Sequence, residues 1–238
     1  MGFGNSTTDH PATSQLIVVS SVSDKFISKN PSLVKNPFDA LLISIGKQNT
    51  NYLPPKSEKT IWGARSPEFT TQEALSLAKN GCDFIVFESL QTQASLLNND
   101  KLGVVATLKP EMSEETIRSI TDLQIDAVLY HSPIIEKPVT FEVASAIQRV
   151  LNLIDKPLII EIAEVVDSSE IELLRNMGVS GISVIIDNQK RIKELSKIRD
   201  AIGNLPKPKV KRIDRDAILP NEQGSIENNE HDLYDDDY

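Results

Sequence analysis

Short apolar runs alternate with polar-capped stretches of helical spacing along most of the chain. FIVFES (84–89), GVVATLK (103–109), AVLYHS (127–132), LIIEIAE (158–164) and ISVIID (182–187) recur roughly every 25–30 residues. Three earlier runs fit the same series: Leu16–Val19, Asp39–Ile45 and Thr60–Arg65. The intervening segments carry helix punctuation. Thr70 or Thr71 can cap a helix with Glu73 in its first turn, stopping at Gly81. Ser113 precedes a helix over 114–123, and helices are expected over 91–98, 141–154 and 189–202. Asp167 and Glu170 stand in capping-box spacing before a helix that stops at Gly178. A single short helix fits within 24–34. Strand–helix alternation of this kind builds a parallel sheet covered by helices, and eight repeats predict a small (βα)8 barrel. The pattern breaks once. Residues 46–59 hold Pro54-Pro55 and no apolar spacing of three or four, so the helix between strands two and three is expected to be missing or replaced by a loop.

Alternation within each strand sets which side chains enter the barrel. Ile182, Val184 and Ile186 form an apolar row for the helix layer, which turns Ser183, Ile185 and Asp187 inward. The same phase sends Ile159, Glu161 and Ala163 inward on strand seven, with Glu164 past the strand end. It sends Val105, Thr107 and Lys109 inward on strand five, and Ala127, Leu129 and His131 on strand six. Strand four contributes Phe84, Val86 and Glu88, and strand three ends on Arg65. The expected mouth therefore gathers Arg65, Glu88, Lys109, His131, Glu161 and Asp187. Chemistry in such barrels is carried by residues at the carboxyl ends of strands. A carboxylate inside the barrel needs a cationic partner, so Glu161 is expected to pair with Lys109 or with Arg65. A paired Lys109 stays charged, which suits anion binding more than Schiff-base chemistry.

Charge changes the picture only after it is divided. The chain has 238 residues and a formal charge of −9, but residues 221–238 carry seven acids and no Lys or Arg. The remaining 220 residues therefore sum to −2. That near-neutral body offers no basic excess for nucleic acid. The segmentation implies a disordered lead-in over 1–14, a barrel over 15–205 and an extension over 206–238 ending in a disordered acidic tail. Cys82 is the sole cysteine, which forbids an internal disulfide and fits a buried apolar role better than a nucleophilic one. No apolar run reaches the length of a membrane span and no signal peptide is legible, so a cytoplasmic protein without membrane association is expected. No metal-ligand spacing and no phosphate-cradling glycine loop occurs, so no cofactor is expected. Nothing in the sequence fixes an oligomeric state.

KNGCDFIVFE (79–88) and RNMGVSGISVIID (175–187) resemble the helix–Gly–strand units of (βα)8 barrels that bind phosphorylated small molecules or flavin, of the aldolase-like and tryptophan-pathway types. The resemblance spans about residues 60–203. It implies a barrel acting on a small molecule, with a glycine at the end of strand eight opening a phosphate site. Here Asp187-Asn188 occupies that place, and Glu164-Val165-Val166 replaces the glycine loop after strand seven. A carboxylate at the strand-eight position repels phosphate.

Two readings from different classes remain open. One is a lyase or isomerase acting on a small anionic carbonyl compound, with Glu161, Lys109 and His131 catalytic and Arg65, Glu88 and Asp187 binding substrate. The other is a non-catalytic barrel serving as a binding or scaffold module.

Overall fold

Eight parallel strands pair in chain order and close on themselves in the computed structural model, strand one bonding to both strand two and strand eight. The strands are β1 (Ile17–Ser23), β2 (Ala40–Ser44), β3 (Ile61–Ser66), β4 (Phe84–Phe87), β5 (Gly103–Leu108), β6 (Ala127–His131), β7 (Leu158–Ile162) and β8 (Gly181–Ile186). Six α-helices occur among the described residues: α1 (Asp24–Lys29), α2 (Thr71–Lys79), α3 (Glu114–Thr121), α4 (Phe141–Leu153), α5 (Ser168–Met177) and α6 (Gln189–Gly203). The structure describes residues 16–35, 38–46, 60–131, 139–162 and 167–206. All of them belong to one compact unit, Met1–Pro208; the second unit, Lys209–Tyr238, lies outside the described residues. The fold is the expected (βα)8 barrel. Most of the 46–59 segment, where a helix was expected to be absent, also lies outside the described residues, as do Ala163 and Glu164.

Local signals explain most helix ends. Thr70 Oγ1 accepts from the Glu73 amide while Glu73 accepts from the Thr70 amide, and Asp167 with Glu170 repeats this reciprocal cap on α5. Gly178 closes α5 at φ +108°, a left-handed conformation that glycine adopts without a Cβ penalty. Two expectations need correction. The helix expected over 91–98 is a 3₁₀ turn, Ala94–Asn98. The Gln93 amide donates to the Phe69 carbonyl and its side chain accepts from the Thr71 amide, which ties the segment to the start of α2 and leaves five residues for the turn. Strand one also runs four residues beyond Val19. Serine is not among the strand-favouring residues, yet Ser20 and Ser21 are paired on both sides, Ser21 with Leu42 and Ile185, and Ser23 is paired with Ser44, which holds them extended.

The barrel separates two apolar layers. The larger packs the outer strand faces under the helices, with Leu41, Ile43, Ile85, Val128, Ile160 and Ile182 against Leu77, Ile117, Ile147, Ile171 and Ile198. The smaller fills part of the lumen with Val19, Ala40, Leu42, Val86, Val105 and Leu129. This partition reproduces the period-two phase read from the sequence. At the amino-terminal end one device repeats. Asp39, Asp83 and Asp126 each precede an even-numbered strand, and each accepts from a backbone N–H of the preceding strand: Val18 at 2.7 Å, Trp62 at 2.9 Å and Val104 at 2.7 Å. The same three aspartates donate their own amides to the carbonyls of those residues at 2.8 to 2.9 Å. Each aspartate thus locks two strand starts in register. Among the described residues no helix is long and apolar enough to cross a membrane.

Candidate functional site

Glu161 sits on β7 with its side chain turned into the barrel and 2% exposed. Burial of a carboxylate there demands compensation, and two groups supply it. Arg65 Nη1 donates to Glu161 Oε1 at 2.6 Å, and His131 Nδ1 bonds Glu161 Oε2 at 2.6 Å. Arg65 also donates from Nε to Glu88 Oε1 at 2.8 Å. Glu88, Arg65, Glu161 and His131 therefore form one continuous chain across the carboxyl end of the barrel.

Barrel geometry explains each link. His131 and Glu161 are register partners on the adjacent strands β6 and β7, so their side chains leave the sheet side by side. Arg65 stands on β3, four strands from β7, and its long side chain crosses the lumen to meet Glu161. Both β3 and β7 are odd-numbered strands, whose inward residues share layers. Burial by itself lowers the Arg65 guanidinium; the charges of Glu161 and Glu88 and the hydrogen bonds to them outweigh it and hold the group above its ordinary value. Arg65 is a fixed cation already satisfied by two carboxylates.

Between the two partners expected for Glu161, the structure selects Arg65. Lys109, half-buried just past β5, makes no ion pair among the described residues. Leu108 and Tyr130 are register partners, so Lys109 and His131 stand at one level on neighbouring strands at the mouth. Asp187 is exposed and accepts from the Asn188 side chain at 2.7 Å; Asn188, not Asp187, caps α6. Four of the six expected mouth residues are thus in direct contact, while Lys109 and Asp187 stand apart.

His131 meets Glu161 through Nδ1, and its Nε2 makes no hydrogen bond among the described residues. The His131 side chain is 45% exposed, against 12% for Arg65 and 31% for Glu88. An imidazole held through Nδ1 by a buried carboxylate, on a side chain partly open to solvent, can act as a general acid or base. Below it, the buried Thr107 and Ser183 hydroxyls, on inward positions of β5 and β8, make no hydrogen bond among the described residues. Among the described residues no cluster of three or more His, Cys, Asp or Glu side chains is arranged to hold a metal ion. Cys82 is buried, donates its thiol to the Phe84 carbonyl at 3.1 Å and packs in the helix layer. Burial pushes its thiol up to about 12, so it stays protonated and unreactive at neutral pH. The aspartate clamps and the bidentate Arg199–Asp39 pair, at 2.6 and 2.8 Å, were not anticipated. An acid immediately before strands two, four and six was their only signal in the sequence.

This geometry belongs to a (βα)8 barrel with a charged mouth, and comparison with solved structures agrees on the fold. KGPDC from Streptococcus mutans superposes with a TM-score of 0.61 at 12% identity, over 80% of this chain and 98% of that one. A mutant tryptophan synthase alpha-subunit from Pyrococcus furiosus gives 0.60 at 10% identity, over 77% and 98%. Thiamine phosphate pyrophosphorylase from Pyrococcus furiosus gives 0.58 at 11%, over 79% and 96%. No family model and no curated protein matches the chain in sequence.

Proposed function

We propose that the barrel is an enzyme of the lyase or isomerase kind, acting on a small anionic carbonyl compound at its carboxyl-end mouth. His131 Nε2 moves the proton next to the carbonyl. Glu161 fixes the imidazole through Nδ1 and offsets the charge that develops on it. Arg65 and Glu88 hold Glu161 in place and are positioning residues. Lys109, with no competing carboxylate among the described residues, holds the substrate's anionic group. The observation that carries this reading is the 2.6 Å contact between a buried carboxylate and a half-exposed imidazole at a strand end. The names of two similar barrels, a tryptophan synthase subunit and a thiamine phosphate pyrophosphorylase, support it at the level of fold.

Proton transfer is tested by incubating the protein in D₂O with a panel of small 2-oxo acids and carboxylated hydroxyketones. Loss of the C–H signal beside the carbonyl is followed by NMR. Exchange on at least one compound is expected, falling roughly 10²-fold or more in His131→Gln. Lys109→Met is expected to raise KM more than it lowers kcat. No exchange across the panel, or exchange indifferent to His131→Gln, overturns the reading. The second reading, a non-catalytic binding or scaffold barrel, is favoured by one observation: Arg65 spans the lumen and commits its guanidinium to two carboxylates of the protein itself.

A further inference from the structure

The opposite end of the lumen is unlike the mouth. A cavity of about 280 Å³ lies among the amino-terminal halves of the strands. Its wall includes Val19, Leu42, Phe84, Val86, Leu129 and Ile159, and among the described residues Asp39 is its one charged lining residue. The Asp39 carboxylate is already satisfied by the Val18 amide at 2.7 Å and by Arg199 at 2.6 and 2.8 Å. The charge on the wall is therefore not left seeking a partner.

The space has an identifiable origin. Barrel cores of this kind are ordinarily filled by layered branched side chains. Here β3 places Gly63 on an inward position, and the Phe84 ring from β4 lies across it. A Cβ at Gly63 would stand 2.4 Å from that ring. On β8 the inward Gly181 is overlain in the same way by Ile17, 2.5 Å from a would-be Cβ. Two large side chains thus lie flat over glycines and leave the axis open. At the rim Ile17 and Ile61 are 39% and 52% exposed, which marks a way in from solvent.

Water gains little in such a space, because it needs two to four polar partners. Apolar cavities of roughly half this volume take up benzene. We propose that the amino-terminal floor of the barrel binds a small uncharged apolar molecule, of the size of one or two fused rings or a short alkyl chain. The charged groups of the mouth lie at the other end, so this site is separate from it and does not depend on the reading given for it.

Benzene is the probe, added to the full chain. A saturable rise in Tm is expected, about 3 °C or more at ten times Kd. Intermolecular NOEs from benzene to the methyls of Val86, Val105 and Leu129 are expected to accompany it. Ala40→Leu and Val105→Phe fill the cavity, and whichever keeps its circular-dichroism spectrum is expected to lose the benzene response. An absent or unsaturable response in the native chain, NOEs only to other methyls, or an undiminished response in a folded filled variant overturns the proposal. Should neither variant fold, the NOE pattern of the native chain alone decides the outcome.

Discussion

Glu161→Ala is the most informative single perturbation of the barrel. It removes a carboxylate that is 2% exposed and holds two partners at 2.6 Å. Arg65 is left 12% exposed with Glu88 alone, and Glu88 is itself 31% exposed. Removing one member of a fully buried ion pair costs about 3–5 kcal/mol, mostly because the surviving charge stays desolvated. Since Arg65 keeps one partner, the low end applies, about 3 kcal/mol. For a domain of this size that loss lowers Tm by roughly 6–12 °C. Thermal and urea denaturation followed by circular dichroism measure it. The paired substitution Arg65→Met with Glu161→Met removes both charges and fills similar volume, so it should lie within about 1 kcal/mol of the native protein or above it. The reasoning is refuted if Glu161→Ala leaves stability unchanged or raises it. That result would mean the carboxylate is a burden the native fold carries, as functional groups often are, and that the ion pair does not secure the barrel.

Three further outcomes follow from the same geometry. Asp83→Ala and Asp126→Ala should each cost about 1–3 kcal/mol in denaturant titrations, because a strand-start N–H loses its acceptor. Glu170→Ala should cost a similar ~1–3 kcal/mol, since Glu170 is 8% exposed and accepts from the Val139 and Asp167 amides at 2.9 Å. The Cys82 thiol, pushed up to about 12 by burial, keeps its proton where the unfolded thiol, near 8.5, has lost it. Its contribution is therefore complete below about pH 8.5 and fades as pH rises towards 12. Cys82→Ala should flatten the alkaline fall in stability, and iodoacetamide should label the native thiol only on unfolding.

Much of the fold was legible because its signals are local. Strand phase follows from period-two alternation, so the inward set containing Glu161, His131 and Glu88 could be read from neighbouring residues. The caps at Thr70 and Asp167 were visible for the same reason, each closing within three residues. The 91–98 segment misled because its fate is fixed by Phe69 and Thr71, more than twenty residues earlier. The extension of β1 through three serines likewise depends on partners at both flanks.

Apart from the carboxyl half of β1, the sequence alone determined which runs form the strands and which face each residue presents, because both follow from backbone geometry over a few residues. It did not choose between Lys109 and Arg65 as the cation beside Glu161, although both were read as facing the lumen. Ring closure made that choice, by setting β3 opposite β7 at a separation an arginine side chain spans. The aspartate clamps and the apolar floor are also tertiary. Each requires strands brought side by side, a relation that exists only once they have paired in the sheet.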